Sequence, residues 1–204
     1  MPSAGTTPPA ARRPVHEQTV PGFGTVRITP VDPDRDAPVI HRWVTQDRAA
    51  FWGMTRASVE DVRDVYAHMD ALATHHAHLV HREGEPVALF QTYDPAEDRV
   101  ALCYEVRPGD VGVHLLLAPA SGSSEPDFTE RLTTVLLIHL LADPDLRRIV
   151  AEPDARNEKA IARLLRTGFE PGPEVLLPAI DLPDVRLPAK RARLAFLRRE
   201  AVPA

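Results

Sequence analysis

Cys103 is the only cysteine in 204 residues, so this chain can build neither a disulfide framework nor a cysteine-based metal centre. Long apolar runs are also missing. No stretch approaches the roughly 18 residues of a membrane span, and no basic segment precedes an apolar run near Met1. A cytoplasmic protein without a membrane partner is expected. A basic surplus is lacking too: the formal net charge is −5, which argues against nucleic acid as the main partner and suits a cationic small molecule. Gly-Lys-Ser/Thr does not occur, so nucleoside triphosphate hydrolysis gains no support. No internal repeat is visible.

What is present is a globular composition, 44% hydrophobic and 26% charged, in a chain long enough for one sizeable core and hardly for two. Residues Met1 to about Pro21 hold five prolines without periodicity and read as a disordered or loosely held arm. One domain is expected over residues 22–204. It opens with a strand at Gly24–Thr29, where Val26 and Ile28 alternate with Arg27 and Thr29. Asp34 is placed to cap a helix carrying Val39, Ile40, Trp43 and Val44. Ser58 and Asp61 form a capping-box variant opening a second helix to about Thr74. Leu79-Val80, Val87–Tyr93 and Val100–Val106, separated by turns at Glu83–Glu85 and Pro95–Asp98, read as an antiparallel meander. His76 and His78 would share a strand face, but no third ligand is spaced to complete a metal site, and a solvated strand start is the simpler reading.

The strand Gly109–Pro119 carries His114 near its middle. Val113, Leu115 and Leu117 should face one side, and Gly112, His114 and Leu116 the other. A small-residue loop, Ala120–Ser124, leads to a helix starting at Pro126 and Asp127, apolar from Val135 to Ala142 and therefore expected to be buried. A strand, such a loop and a helix N-terminus gather backbone N–H groups in a way that suits a pyrophosphate. Then come a short strand at Arg147–Val150, a helix capped by Asn157 and ended by Gly168, and a strand begun by Phe169. The last strand should run from Ala189 to about Arg199. The expected fold is α/β: a mixed, mostly antiparallel sheet of about seven strands with flanking helices.

The pattern Asn157-x-x-Ala160-Ile161…Gly168-Phe169 resembles the helix after the fifth strand of the GNAT N-acetyltransferase superfamily, whose members take acyl groups from coenzyme A. Four ordered motifs narrow the resemblance. They are Trp43 with Arg48…Phe51-Trp52-Gly53-Met54, then Tyr93-Asp94-Pro95, then Gly109-Asp110-x-Gly112-x-His114-Leu115-Leu116, and last Glu152-Pro153-Asp154-x-Arg156-Asn157. Together they resemble the siderophore-biosynthesis acyltransferases, which acylate N-hydroxylated lysine or diamines, over roughly residues 22–199. That resemblance implies His114 and Asp154 as catalytic residues and an acyl-CoA (acetyl-CoA or succinyl-CoA) as co-substrate, without a metal. It further implies coenzyme A contacts from Leu115, Leu116, Leu117, Gly122, Ser123, Ser124 and Asn157, and an acceptor side lined by Trp52, Gln91 and Tyr93. Trp52 would serve equally as a core anchor.

The chemistry agrees with that assignment. In this fold the strands bearing His114 and Asp154 splay apart around the thioester, so both residues can face one acyl group. A histidine suits removal of the proton that an N-hydroxylamine loses on attack. Asp154 would orient the imidazole or hold the N-hydroxyl group. Two departures stand out. The superfamily's glycine loop is reduced to Gly122 followed by Ser123, Ser124 and the acidic Glu125, and Leu164 occupies the position where members often carry an acid tyrosine. Two other readings are a general amine N-acetyltransferase (aminoglycoside or protein N-terminal) and a non-enzymatic acyl-CoA-binding module.

Overall fold

Strands with apolar residues at both odd and even positions must be covered on both faces. The computed structural model, which describes residues 13–120, 122, 125–181 and 186–202, has that arrangement. Its strands are β1 (His16–Val20), β2 (Gly24–Pro30), β3 (His75–Arg82), β4 (Glu85–Tyr93), β5 (Asp110–Leu117), β6 (Arg148–Ala151), β7 (Glu170–Leu177), β8 (Ile180–Asp181), β9 (Arg186–Leu187) and β10 (Lys190–Arg198). Eight form one sheet in the order β1-β2-β3-β4-β5-β6-β10-β7, and β8 with β9 makes a separate ribbon. Within the large sheet only β5 and β6 pair in parallel.

Helices α1 (Pro33–Val44) and α2 (Val59–Asp70) cover one face, where Ile40, Trp43, Val62 and Tyr66 pack on Leu79, Leu89 and Leu116. Helix α3 (Phe128–Leu141) covers the other, with Leu132, Val135 and Leu136 on Val80, Phe90 and Ile149. Leu164 of α4 (Glu158–Arg166) packs against that second core. The two faces of β5 divide as expected: Val113, Leu115 and Leu117 lie with the α3 core, while Leu116 enters the α1–α2 core.

Several expectations need correction. The sheet has eight strands where about seven were expected, and what needs correcting is the arm: β1 pairs with β2 inside that segment, whose residues 1–12 lie outside the described ones. Asp32, not Asp34, caps α1, accepting from the Arg35 N–H, with Pro33 fitting the first turn. The capping box at Ser58 and Asp61 is present, but α2 stops at Asp70.

Val100–Val106 is not a strand. Asp94 and Asp98 each bind a backbone N–H two residues on, at Ala96 and Val100. Those bonds offer the backbone an alternative to a ladder, and short 3₁₀ turns form at Pro95–Glu97 and Arg99–Leu102. Helix α3 is buried at Leu132, Val135, Leu136 and Leu140, while Ile138 is exposed, since a helix on an open sheet has only one covered face. Histidines 76 and 78 do share a face, but His76 is exposed and His78 is buried beside Phe90 and His139. Burial and His139 push the His78 imidazole down to about 4.

One feature of the sheet shapes the site. Parallel pairing of β5 with β6 covers only Asp110–Gly112 against Arg148–Val150, so the strands part beyond Gly112. Gly112 lies opposite Tyr93, and a Cβ there would sit 2.1 Å from the Tyr93 ring. Gly112→Ala should therefore cost about 1–3 kcal/mol through overpacking. The check is the urea unfolding midpoint at constant m-value; an unchanged midpoint would mean that the Tyr93 ring moves aside freely.

Candidate active site

Antiparallel register puts Gln91 opposite His114 and Tyr93 opposite Gly112. Ile149 and Ala151 of β6 turn to the α3 core, so by alternation Glu152, the next residue, turns to the face that carries His114. The consequence is a direct pair: His114 Nε2 lies 2.7 Å from Glu152 Oε1. Lys190 Nζ, from the start of β10, donates to the same oxygen at 3.1 Å. The other imidazole nitrogen, Nδ1, is 3.2 Å from Gln91 Oε1, and the Gln91 amide nitrogen donates to the Tyr66 hydroxyl at 3.2 Å. The Tyr93 ring lies 5.1 Å from the imidazole centroid at 32°, and Trp52 meets it edge-on at 6.2 Å.

Burial and charge oppose one another here. The Glu152 side chain is 4% exposed and that of His114 36%. Burial alone would raise the Glu152 carboxyl, but the facing charges of His114 and Lys190 outweigh it and bring it down to about 2. Burial and the nearby Glu152 carboxylate push the Tyr93 phenol well above its ordinary value. Glu152 Oε2 and the Tyr93 hydroxyl oxygen are both buried without a hydrogen-bond partner among the described residues. Such atoms are costly unless water or another polar group serves them.

The expected residues fall into three groups. His114, Gln91, Tyr93 and Trp52 come together as described. Asp154 does not reach the imidazole: its carboxylate takes two hydrogen bonds from the Arg156 guanidinium and one from the Arg156 backbone, fixing the turn into α4. The carboxylate hydrogen-bonded to the His114 ring is that of Glu152. Leu115 and Leu117 present backbone N–H groups to the gap beside β6, because Ala118 N–H is bonded to Val87 of β4 and alternate residues point the opposite way. Leu116 points its backbone to β4 and its side chain into the core.

Gly122 adopts φ +100, a conformation that favours glycine; Ser123 and Ser124 lie outside the described residues. Asn157 caps α4 through the Ala160 N–H. Glu125 is paired with Arg82, which answers its charge beside the loop. Glu152, Lys190 and Tyr66 are the residues that sequence reasoning missed. Parity along Arg148–Glu152 was a usable signal for Glu152; nothing local announces Lys190 or Tyr66.

A carboxylate that holds one imidazole nitrogen, with aromatic walls and an open strand edge beside it, is equipped to take a proton from a nucleophile attacking a carbonyl. Comparisons with known proteins point the same way. The family described as acetyltransferase (GNAT) domain matches residues 32–177. N(6)-hydroxylysine O-acetyltransferase of Escherichia coli is 26% identical over 169 residues, 82% of this chain and 50% of that protein. Lysine N-acyltransferase MbtK of Mycobacterium sp. (strain MCS) is 27% identical over 134 residues, 65% of this chain and 54% of that one. The chain thus spans about half the length of the curated relatives it matches. Aminoglycoside acetyltransferase AAC(6')-Ib in complex with coenzyme A superposes with a TM-score of 0.67 at 25% identity, covering 86% of this chain and 96% of that one.

The Glu152 pair carries a pH signature. A carboxyl brought from 4.5 in the unfolded chain to about 2 in the folded one stabilises the protein above pH 4.5, and the effect is lost as pH falls toward 2. Glu152→Gln should be less stable than the native protein by about 3 kcal/mol at pH 7, and the two should converge between pH 4.5 and 2. Denaturant titrations at several pH values test this; a gap that does not narrow with acid would show that Glu152 is not held ionised.

Proposed function

The chain belongs to the acetyltransferase (GNAT) domain family, and on that premise we propose that it acylates the nitrogen of an N-hydroxylated amine, giving a hydroxamate for siderophore assembly. The acceptor would be of the N-hydroxycadaverine or N6-hydroxylysine type, and the donor acetyl-CoA or succinyl-CoA. The observation that carries this reading is the His114–Glu152 pair at 2.7 Å beside the gap where β5 leaves β6. The names of the two curated relatives, one acting on hydroxylysine and one on lysine, support it.

The residues present fit an acyl-CoA. The unpaired N–H groups at Leu115 and Leu117 offer donors to a thioester and its pantetheine amides, and the loop containing Gly122 and the α4 start at Asn157 would hold phosphates. The acceptor nitrogen attacks the thioester carbon: a C–N bond forms, the C–S bond breaks, and the nitrogen's proton passes to His114. Free N–H groups of β5 stabilise the negative charge that develops on the acyl oxygen. With Leu164 where a tyrosine would stand, the thiolate leaves unassisted or takes its proton from His114. Trp52 and Tyr93 wall the acceptor side. The oxygen of the N-hydroxyl group matters because it makes the nitrogen far less basic. An ordinary ammonium, near pKa 10.4, is almost wholly protonated at neutral pH and is no nucleophile.

A second reading, acetylation of an aminoglycoside or another unmodified amine, is favoured by the likeness to AAC(6')-Ib. Thiol release from acetyl-CoA and succinyl-CoA, offered N-hydroxycadaverine, cadaverine and an aminoglycoside, separates the two. N-hydroxycadaverine should be at least about a hundredfold better in kcat/KM than cadaverine, and its product should give the ferric hydroxamate colour. Equal efficiency for cadaverine, or preference for the aminoglycoside, would favour the second reading. His114→Ala should lower kcat by about 10²–10⁴-fold with the fold intact, whereas Asp154→Asn should lose much less. Turnover of His114→Ala within twofold of the native enzyme would remove it from the proton-transfer role.

A further inference from the structure

The 3₁₀ segment Asp47–Trp52 runs beside β5 on the face covered by α1 and α2. Its two ends meet that strand at different levels. Trp52 touches the His114 ring edge-on, and the Arg48 guanidinium donates from Nη2 to the Leu117 carbonyl oxygen at 2.8 Å. Leu117 lies three residues beyond His114, about 10 Å along an extended strand. Trp52 therefore marks the chemistry end of the strand gap. Arg48 marks the other end, where the chain leaves β5 for the loop containing Gly122.

That loop has no cation of its own. Between Ala118 and Phe128 it carries Glu125 and Asp127 and not one Lys or Arg. The arginines on its α3 side are engaged: Arg82 pairs with Glu125 and donates to the Phe23 carbonyl, and Arg131 donates to the Gly22 carbonyl. Arg48 is different. Its partners among the described residues are neutral, the Leu117 carbonyl and, from Nε, Gln46 Oε1 at 2.8 Å. Among those residues it makes no ion pair, and two of its five N–H donors are used. Burial lowers the guanidinium from its ordinary value, with no facing carboxylate to offset the shift. A permanent charge that is partly desolvated and has donors to spare is stabilised by an anion, and its fork matches phosphate oxygens.

The carbonyl that Arg48 covers is also informative. Ala118 N–H bonds to Val87 of β4, so the Leu117 N–H and C=O both face the open edge beside β6. Arg48 thus occupies a backbone acceptor suited to a pantetheine amide N–H. We propose that Arg48 is a binding residue for the diphosphate of the acyl-CoA donor, and that on binding its guanidinium passes from Leu117 to the phosphate oxygens and releases the carbonyl to the pantetheine arm. Only hydrogen bonds are exchanged. The inference rests on the acyl-CoA donor of the proposed function and not on which amine is acylated.

The experiment is calorimetric binding of CoA, 3′-dephospho-CoA and pantetheine to the full chain, for the native protein, Arg48→Gln and Arg48→Lys. Arg48→Gln should weaken CoA and 3′-dephospho-CoA alike by about 10–100-fold, the range for a lost charge-assisted hydrogen bond, and leave pantetheine within about twofold. Arg48→Lys, which keeps the charge without the fork, should fall in between. Added salt should weaken CoA binding more in the native protein than in Arg48→Gln. Unchanged CoA affinity in Arg48→Gln would overturn the proposal. An equal loss for CoA and pantetheine would do the same, being the behaviour of an arginine that merely ties its segment to β5. A loss that vanishes with 3′-dephospho-CoA would place the guanidinium on the ribose phosphate, and one confined to succinyl-CoA would place it on the acyl carboxylate; either defeats the diphosphate assignment. If the binding pattern holds but no amine is acylated, the acyl-transfer reading fails and the role of Arg48 stands.

Discussion

Three residue pairs of parallel ladder, Asp110–Gly112 against Arg148–Val150, decide the rest of this structure. An antiparallel neighbour at that place would have carried pairing along the whole of β5. Instead the strands register at their beginnings and then part, leaving the outer edge at Leu115 and Leu117 without a strand partner. The same short register brings the end of β6 level with the middle of β5, which is how Glu152 comes within 2.7 Å of His114. Opening and ion pair are two results of one geometric fact.

The pair is costly to bury, and it is not arranged as an isolated charge. Lys190 shares the Glu152 oxygen with His114, and Tyr93 closes over Gly112 so that its ring shields both. Removing one partner of such a cluster leaves an uncompensated charge, whereas in the intact set attraction outweighs the cost of desolvating Glu152. Stability and proton chemistry therefore depend on the same side chains.

Where local signals misled, a side chain or a missing layer was the cause. The apolar run at Val100–Val106 reads as a strand, but Asp98 captures the Val100 N–H and coils the chain into a turn. The run Val135–Ala142 is nearly all apolar, yet the open sheet offers α3 only one face, so Ile138 stays in water. Asp154 sits in the motif that the sequence singled out, but its carboxylate is taken by Arg156 two residues on.

Most of the strands and helices, the two faces of β5, the caps at Ser58 and Asn157, and the grouping of His114, Gln91, Tyr93 and Trp52 could be read from the chain alone. Each depends on alternation, on capping chemistry or on motifs whose members lie close in sequence. The partner of His114 could not be read in that way. Glu152 and Asp154 differ by two positions and share strand parity; what separates them is that Arg156 lies beside one and Lys190 comes from a strand 38 residues away to the other. Tyr66, on a helix 25 residues before Gln91, likewise meets it only because α2 packs across β4. Which of the two buried carboxylates meets His114 depends on where tertiary packing delivers the imidazole and Lys190, and no local pattern in the sequence encodes that delivery.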